Sequence, residues 1–155
     1  MTPRTPYTDL IHRVATTYGL PADVLEGQVL AESHGDPDAF RYEPAFYDHY
    51  LRGKSPAVVK ASQYGPLAAC SYGLLQIMLE TAAEIGFDGR PEQLFEPMVG
   101  LAWGAKHLKA LLDWADGDLV RALCAFNGGK QGNGVRPFRN QAYADTVFRL
   151  SGRTV

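Results

Sequence analysis

Residues 21–35 read PADVLEGQVLAESHG, and their order of apolar and charged positions decides what the rest of the chain must build around. Pro21 suits the first turn of a helix, where its missing N–H is no loss and its φ is already helical. Leu25, Val29 and Glu32 fall at i, i+4 and i+7, so they share one helical face. Gly35 and Asp36-Pro37 end the helix. A carboxyl group is therefore carried on an apolar face, one turn from a helix C-terminus. The partial negative charge of that terminus disfavours a second negative charge, and desolvation also raises a carboxyl pKa. A carboxyl kept protonated near neutral pH is what a general acid requires. The ordinary alternative for a lone glutamate is a solvated surface carboxylate.

Outward from this helix the chain reads as a string of further helices. Leu10, Ile11, Val14, Ala15 and Tyr18 line one face, with Gly19 as a stop. The stretch 41–65 is rich in Tyr, Pro and charge, with short helices expected near 45–51 and after Ser55-Pro56. Residues 73–78 form a compact apolar turn, followed by a helix over 80–85 that Gly86 stops. The longest helix is expected over 98–115, where Leu101, Ala105, Leu108, Leu112 and Ala115 make a continuous buried stripe. Asp118 is a good N-cap for a helix with Leu119, Leu123 and Phe126 inside. A glycine-rich loop over 128–134 reads as a flexible edge, and Tyr143, Val147 and Leu150 mark a last helix. The pattern predicts a mainly α fold, with room for a minor β-hairpin between Arg41 and Tyr72.

At 155 residues the chain has the length of one domain, spanning 1–155. It is 46% hydrophobic and 21% charged, with a net charge of −2, and carries no basic stripe of the kind nucleic acid demands. No apolar run approaches a membrane span, so stable membrane insertion is not expected. The opening MTPRTPYTDL lacks the apolar segment of a secretory signal, which predicts synthesis into the cytoplasm. Cys70 and Cys124 read as buried reduced thiols, able to pair only if their neighbouring motifs meet in space. His12, His34, His49 and His107 show no metal-ligand spacing. The glycines of 128–132 lack phosphate-loop spacing, and no nucleophile elbow is present. No metal or cofactor is called for, and a monomer is expected.

Four blocks of residues, in order, resemble the lytic transglycosylases of the soluble type, relatives of goose-type lysozyme. Glu32-Ser33 is similar to the family's Glu-Ser pair. Ser71-Tyr72-Gly73-Leu74-Leu75-Gln76-Ile77-Met78, followed by Thr81-Ala82, resembles its Ser-x-Gly-Leu-Met-Gln-Ile block. Ala125-Phe126-Asn127-Gly128-Gly129 resembles Ala-Tyr-Asn-Ala-Gly, and Tyr143 and Val147 match the closing Tyr and Val. The resemblance implies a lysozyme-like fold and cleavage of peptidoglycan glycan strands between N-acetylmuramic acid and N-acetylglucosamine. It makes Glu32 the acid, then the base that draws the muramoyl 6-hydroxyl proton as a 1,6-anhydro ring closes.

By the same resemblance, Gln76 and the backbone around Ile77 would hold substrate, or Gln76 would brace its turn. Ser71 would bond near Glu32 or the acetamido group, or cap a helix. Asn127 would contact substrate or fix its loop. Tyr143 would aim its hydroxyl at Glu32, or be a core aromatic. Tyr72 and Phe126 are grouped with the substrate-facing residues.

Two departures from the pattern bear on the chemistry. The separation of Glu32 and Ser71 exceeds that of the compact members, and the extra Arg41-Tyr42-Glu43-Pro44 resembles a longer version found in phage and some goose-like members. Its aromatics could stack on sugars, and Arg41 or Arg52 could meet stem-peptide carboxylates. Glu43 is a candidate second carboxylate that would orient water and turn the enzyme into a muramidase; pairing with a nearby arginine is the favoured alternative. Phe126 also stands where the family has Tyr, one hydroxyl fewer. A virion structural part or a non-catalytic glycan-binding module is the competing class. An endolysin or virion-associated lysin, released to the wall through a lesion made by another protein, is the expected setting.

Overall fold

In a computed structural model, residues 4–52 and 63–153 are described. Helix α1 spans Thr8–Tyr18 and α2 spans Ala22–Ser33. Gly19, at φ 68°, supplies the left-handed residue that closes α1, as its position after the apolar face predicts. His34 does the same for α2 at φ 55°, one residue before the glycine expected there. Strand β1, Phe40–Tyr42, leads into a short α3, Pro44–Phe46, which widens into a π-helical turn over Tyr47–Leu51. The helix expected after Ser55-Pro56 lies outside the described residues. Strands β2, Cys70–Tyr72, and β3, Ile77–Met78, follow. Then come α4, Leu79–Glu84, a 3₁₀ turn over Pro91–Phe95, and the longest helix, α5, Pro97–Trp114. Helices α6, Leu119–Gly128, and α7, Gln141–Ser151, complete the chain. Asp118 caps α6 by accepting the Arg121 N–H at 3.1 Å.

The helices enclose the main core. Ile11 and Ala15 of α1, Val24, Leu25 and Val29 of α2, Leu101, Ala105 and Leu108 of α5, Leu123 of α6 and Val147 of α7 meet there. Burying one such aliphatic side chain contributes about 1.5–3 kcal/mol. Helix α2 runs down the middle, and α7 lies antiparallel to it in close contact. A Cβ on Gly27 would stand 2.6 Å from the Val147 carbonyl oxygen, so only glycine admits α7 at this depth. That contact sets the register in which Tyr143, one turn earlier on α7, arrives at Glu32, more than one turn later on α2.

The hairpin foreseen as minor is a three-stranded antiparallel sheet in the order β1-β2-β3. Phe40 pairs with Tyr72 and Tyr72 with Ile77, while Arg41 pairs with Ser71 and Ser71 with Met78. Directly opposed residues project to the same face of a sheet. Tyr72, Ile77 and Cys70 therefore go to one side, where they form a second core with Leu79, Ala82, Phe87 and Leu94. Arg41, Ser71 and Met78 form a row on the other side. The strands are too short to show alternation in sequence, which hid the third strand. Cys70 and Cys124 are buried free thiols in the separate cores.

Candidate active site at the end of helix α2

Glu32 is the penultimate residue of α2, and its Oε2 accepts a hydrogen bond from the Tyr143 hydroxyl at 2.8 Å. Burial raises its pKa from 4.5 to about 7; the Tyr143 hydrogen bond and the positive charge of Arg41 oppose the rise. Desolvation wins because the surroundings of α2 are apolar: Leu25 and Val29 on the same face have no exposure. The Tyr143 hydroxyl is pushed well above its ordinary pKa by burial and by the Glu32 charge, so it remains a donor. A carboxyl in this state can give a proton to a leaving oxygen at neutral pH and hold the resulting charge against a phenol.

Ser33, beside the acid, joins α2 to the sheet. Its hydroxyl donates to the Leu74 carbonyl at 2.8 Å and lies 3.1 Å from the Val29 carbonyl, and it accepts the Gly35 N–H. The 73–76 turn is thereby docked on the end of α2. Gln76 sits in that turn at φ 50° and spends its amide N–H groups on the Ala39 carbonyl at 2.9 Å and the Gly73 carbonyl at 3.0 Å. These two bonds brace the turn and leave Oε1 as its remaining polar atom.

The strand side carries charge. Arg41 bonds Glu43 at 2.9 Å, Nε to Oε1, and acts on Glu32 as the opposing positive charge. Glu43 thus has a guanidinium partner in this structure. Arg52 is engaged with Asp48 at 3.0 Å and lies over the Tyr47 ring. Ser71 is buried, and its hydroxyl has no protein partner among the described residues. It sits mid-strand and caps no helix.

Other grouped residues fall elsewhere. Tyr72 is a core aromatic: it is 2% exposed, donates to the Leu67 carbonyl at 2.8 Å, and packs edge-on to Phe40 and Phe95. Strand alternation turns its ring away from the Arg41 row, which corrects its grouping with the substrate-facing residues. The Ile77 side chain enters the same core, leaving only its backbone toward the turn. Phe126 is half-buried with its ring 5.2 Å from His107, whose pKa burial and nearby Lys130 depress to about 4. The ring therefore meets a neutral imidazole near pH 7. Asn127 is exposed, and its Oδ1 accepts from Asn140 Nδ2 at 2.8 Å.

Two features escaped the sequence reading. Gln28, one turn before Glu32, is fully buried and meets the Tyr143 hydroxyl, though among the described residues neither of its amide atoms completes a hydrogen bond of good geometry. A polar residue four positions before Glu32 on an apolar helix was the available signal. The glycine-rich loop is also no loose edge. Asn133 within it is fully buried and bonds the Cys124 and Gly129 carbonyls and Asn140. Among the described residues, no group of three or more His, Cys, Asp or Glu side chains gathers to hold a metal. No helix among them is long and apolar enough to cross a membrane.

Residues 9–146 match the family described as Transglycosylase SLT domain, a span that takes in Glu32, Ser71–Met78, Asn127 and Tyr143. The chain belongs to the transglycosylase SLT domain family. The fold of this SLT domain is similar to a crystal structure of an inactive mutant of lytic transglycosylase Slt from Pseudomonas aeruginosa, with a TM-score of 0.66 at 18% identity. The likeness covers 94% of this chain and 23% of that one, so the SLT domain here spans about a quarter of the larger protein's length. It is mainly helical with a small sheet and has the lysozyme-like fold of its family.

Proposed function

We propose that this SLT domain is a lytic transglycosylase that cleaves the β-1,4 bond between N-acetylmuramic acid and N-acetylglucosamine in peptidoglycan, with Glu32 as acid and then base. The observation that carries the reading is the Glu32 carboxyl itself, raised to a pKa of about 7 beside the Tyr143 phenol in a chain of this family. Tyr143 occupies Oε2, which leaves Oε1 to carry the transferable proton. Glu32 protonates the glycosidic oxygen as the bond breaks. The phenol stabilises the carboxylate that forms, since hydrogen bonds to charged groups are worth more than neutral ones. The carboxylate then takes the proton of the muramoyl 6-hydroxyl as O6 closes on the anomeric carbon. One enzyme carboxylate suffices, because the substrate's acetamido group can stabilise the oxocarbenium-like state.

The pairing of Glu43 with Arg41 supports ring closure over hydrolysis, because a carboxylate oxygen engaged by a guanidinium is not free to orient a water. Substrate contacts are assigned to Ser71, Asn127, the Phe126 ring, Gln76 Oε1 and the Ile77 backbone. The likeness of Arg41-Tyr42-Glu43-Pro44 to phage members supports a phage lysin, which immunodetection in purified virions and lysates would test. Mass spectrometry of digested peptidoglycan tests the reaction. Anhydro-muramoyl ends are expected; reducing ends would make the enzyme a muramidase, and an undigested wall would leave only glycan binding.

A further inference from the structure

Helix α7 begins at Gln141, so the helix end that brings Tyr143 to Glu32 also places Asn140, its N-cap residue, beside Asn127 at the end of α6. The orientation of each amide in this group follows from backbone groups of fixed polarity. Asn133 Oδ1 accepts the Asn140 backbone N–H at 3.0 Å, and its Nδ2 faces the Gly129 carbonyl at 2.9 Å and the Cys124 carbonyl at 3.3 Å. A backbone N–H only donates and a carbonyl only accepts, so Asn133 has one allowed orientation. Its Nδ2 also donates to Asn140 Oδ1 at 2.9 Å, and Arg139 Nε donates to that same oxygen at 3.3 Å. Asn140 must therefore turn its Nδ2 toward Asn127, whose Oδ1 accepts at 2.8 Å. What remains of the Asn127 amide is its N–H pair, exposed and without a protein partner among the described residues.

A second observation ties this group to a departure from the family pattern. A Cβ on Gly128 would stand 2.0 Å from Asn140 Oδ1 and 2.4 Å from its Cγ. The family block resembled by residues 125–129 has alanine at this position. Glycine here is what lets the Asn140 side chain in beside Asn127. Arg139 closes the arrangement by donating to the Gly128 carbonyl.

We propose that Asn133 and Asn140 are positioning residues that fix the polarity of Asn127, so that it offers donors, not an acceptor, to an oxygen of an N-acetylated glycan. The proposal rests on the functional reading above for its ligand, an acetamido carbonyl or hydroxyl oxygen of the sugar. The amide orientation itself does not depend on that reading.

Asn140→Asp separates the two. A carboxylate there accepts only, so it still takes the bonds from Asn133 and Arg139 but forces Asn127 to donate inward and expose its oxygen. Side-chain amide exchange of ¹⁵N-labelled protein reads the orientation, and binding of a soluble muroglycan tetrasaccharide to the uncleaving Glu32→Gln chain reads the ligand. In the Glu32→Gln chain, the Asn133 and Asn140 amides are expected to exchange slowly, and that of Asn127 fast until glycan is added. Adding Asn140→Asp should slow Asn127 exchange without glycan and weaken binding about tenfold. It should cause no further loss when Asn127 is already alanine. Gly128→Ala, with its thermal midpoint followed alongside, should expel Asn140 and weaken binding in the same direction.

An Asn127 amide that exchanges alike with Asn140 or its aspartate substitute overturns the relay. Altered exchange with unchanged affinity overturns the ligand assignment. If the Glu32→Gln chain binds no glycan at all, the functional reading fails and takes the ligand assignment with it, while the exchange pattern still decides the relay.

Discussion

Glu32 is held from two sides of unlike character. On the helical side, α7 packs so closely on α2 that Gly27 cannot carry a side chain, and a buried phenol meets the acid at 2.8 Å. On the strand side, Arg41 is 73% exposed and shares its charge with Glu43. Burial on the first side raises the proton affinity of the acid; the exposed cation on the second lowers it. The difference teaches which contacts can set a pKa. An interaction shielded from water keeps its strength, while one at the surface is screened by solvent and salt. The helical side is therefore expected to dominate catalysis, and the strand side to trim it.

The largest effect tests whether the acid matters at all. Glu32→Gln should lower wall-clearing activity by roughly 10²–10⁴-fold with the fold retained, read by turbidity loss and circular dichroism. The same variant should gain stability above neutral pH. The folded pKa of Glu32 is raised above the unfolded one, so its carboxyl is compatible with the fold at low pH and increasingly costly as pH rises from 4.5 to about 7. Thermal melts at pH 8 should show a midpoint a few degrees above that of the parent, and the advantage should vanish at pH 4.

Tyr143→Phe removes the buried bond on the helical side. A fall of roughly 10- to 100-fold in kcat/KM is expected, in line with loss of a hydrogen bond to a charged group. The basic limb of the pH profile should move to higher pH, because the phenol stabilises the carboxylate form and its loss leaves desolvation less opposed. A limb that stays in place would detach Tyr143 from the titration.

Ser33→Ala cuts the tie between α2 and the Leu74 carbonyl. A loss of about 1 kcal/mol in denaturant unfolding is expected, with a smaller fall in activity. Smallest is Arg41→Met, which should raise the basic limb slightly at low salt and not measurably at high salt. An effect as large as that of Tyr143→Phe would break the asymmetry between the two sides.

The same asymmetry governs what was legible in the sequence. Along α1, α2, α5, α6 and α7 the apolar spacing gives both the element and its inward face, and the helix expected over 98–115 is found one residue earlier, at Pro97–Trp114. The burial of Glu32 was legible because it shares a helical face with Leu25 and Val29, whereas its reading as the acid came from the resemblance of Glu32-Ser33 to the family's Glu-Ser pair. In the sheet, strands of two or three residues offer no period to read. Tyr72 and Ser71 are adjacent, yet strand alternation sends them to opposite faces, and only the pairing register reveals which. Asn133 and Asn140 were hidden for another reason. Asparagines in a glycine-rich loop read as turn formers, and only the fold brings them onto Asn127.

The central claim is that burial between α2 and α7 keeps Glu32 protonated to near neutral pH. The most direct test is a ¹³C titration of the Glu32 side-chain carboxyl in the folded protein without substrate. A midpoint of about 7, moving upward in Tyr143→Phe, is the expected result. A midpoint at the ordinary 4.5 would mean that Glu32 is ionised at working pH, and would contradict its role as the acid.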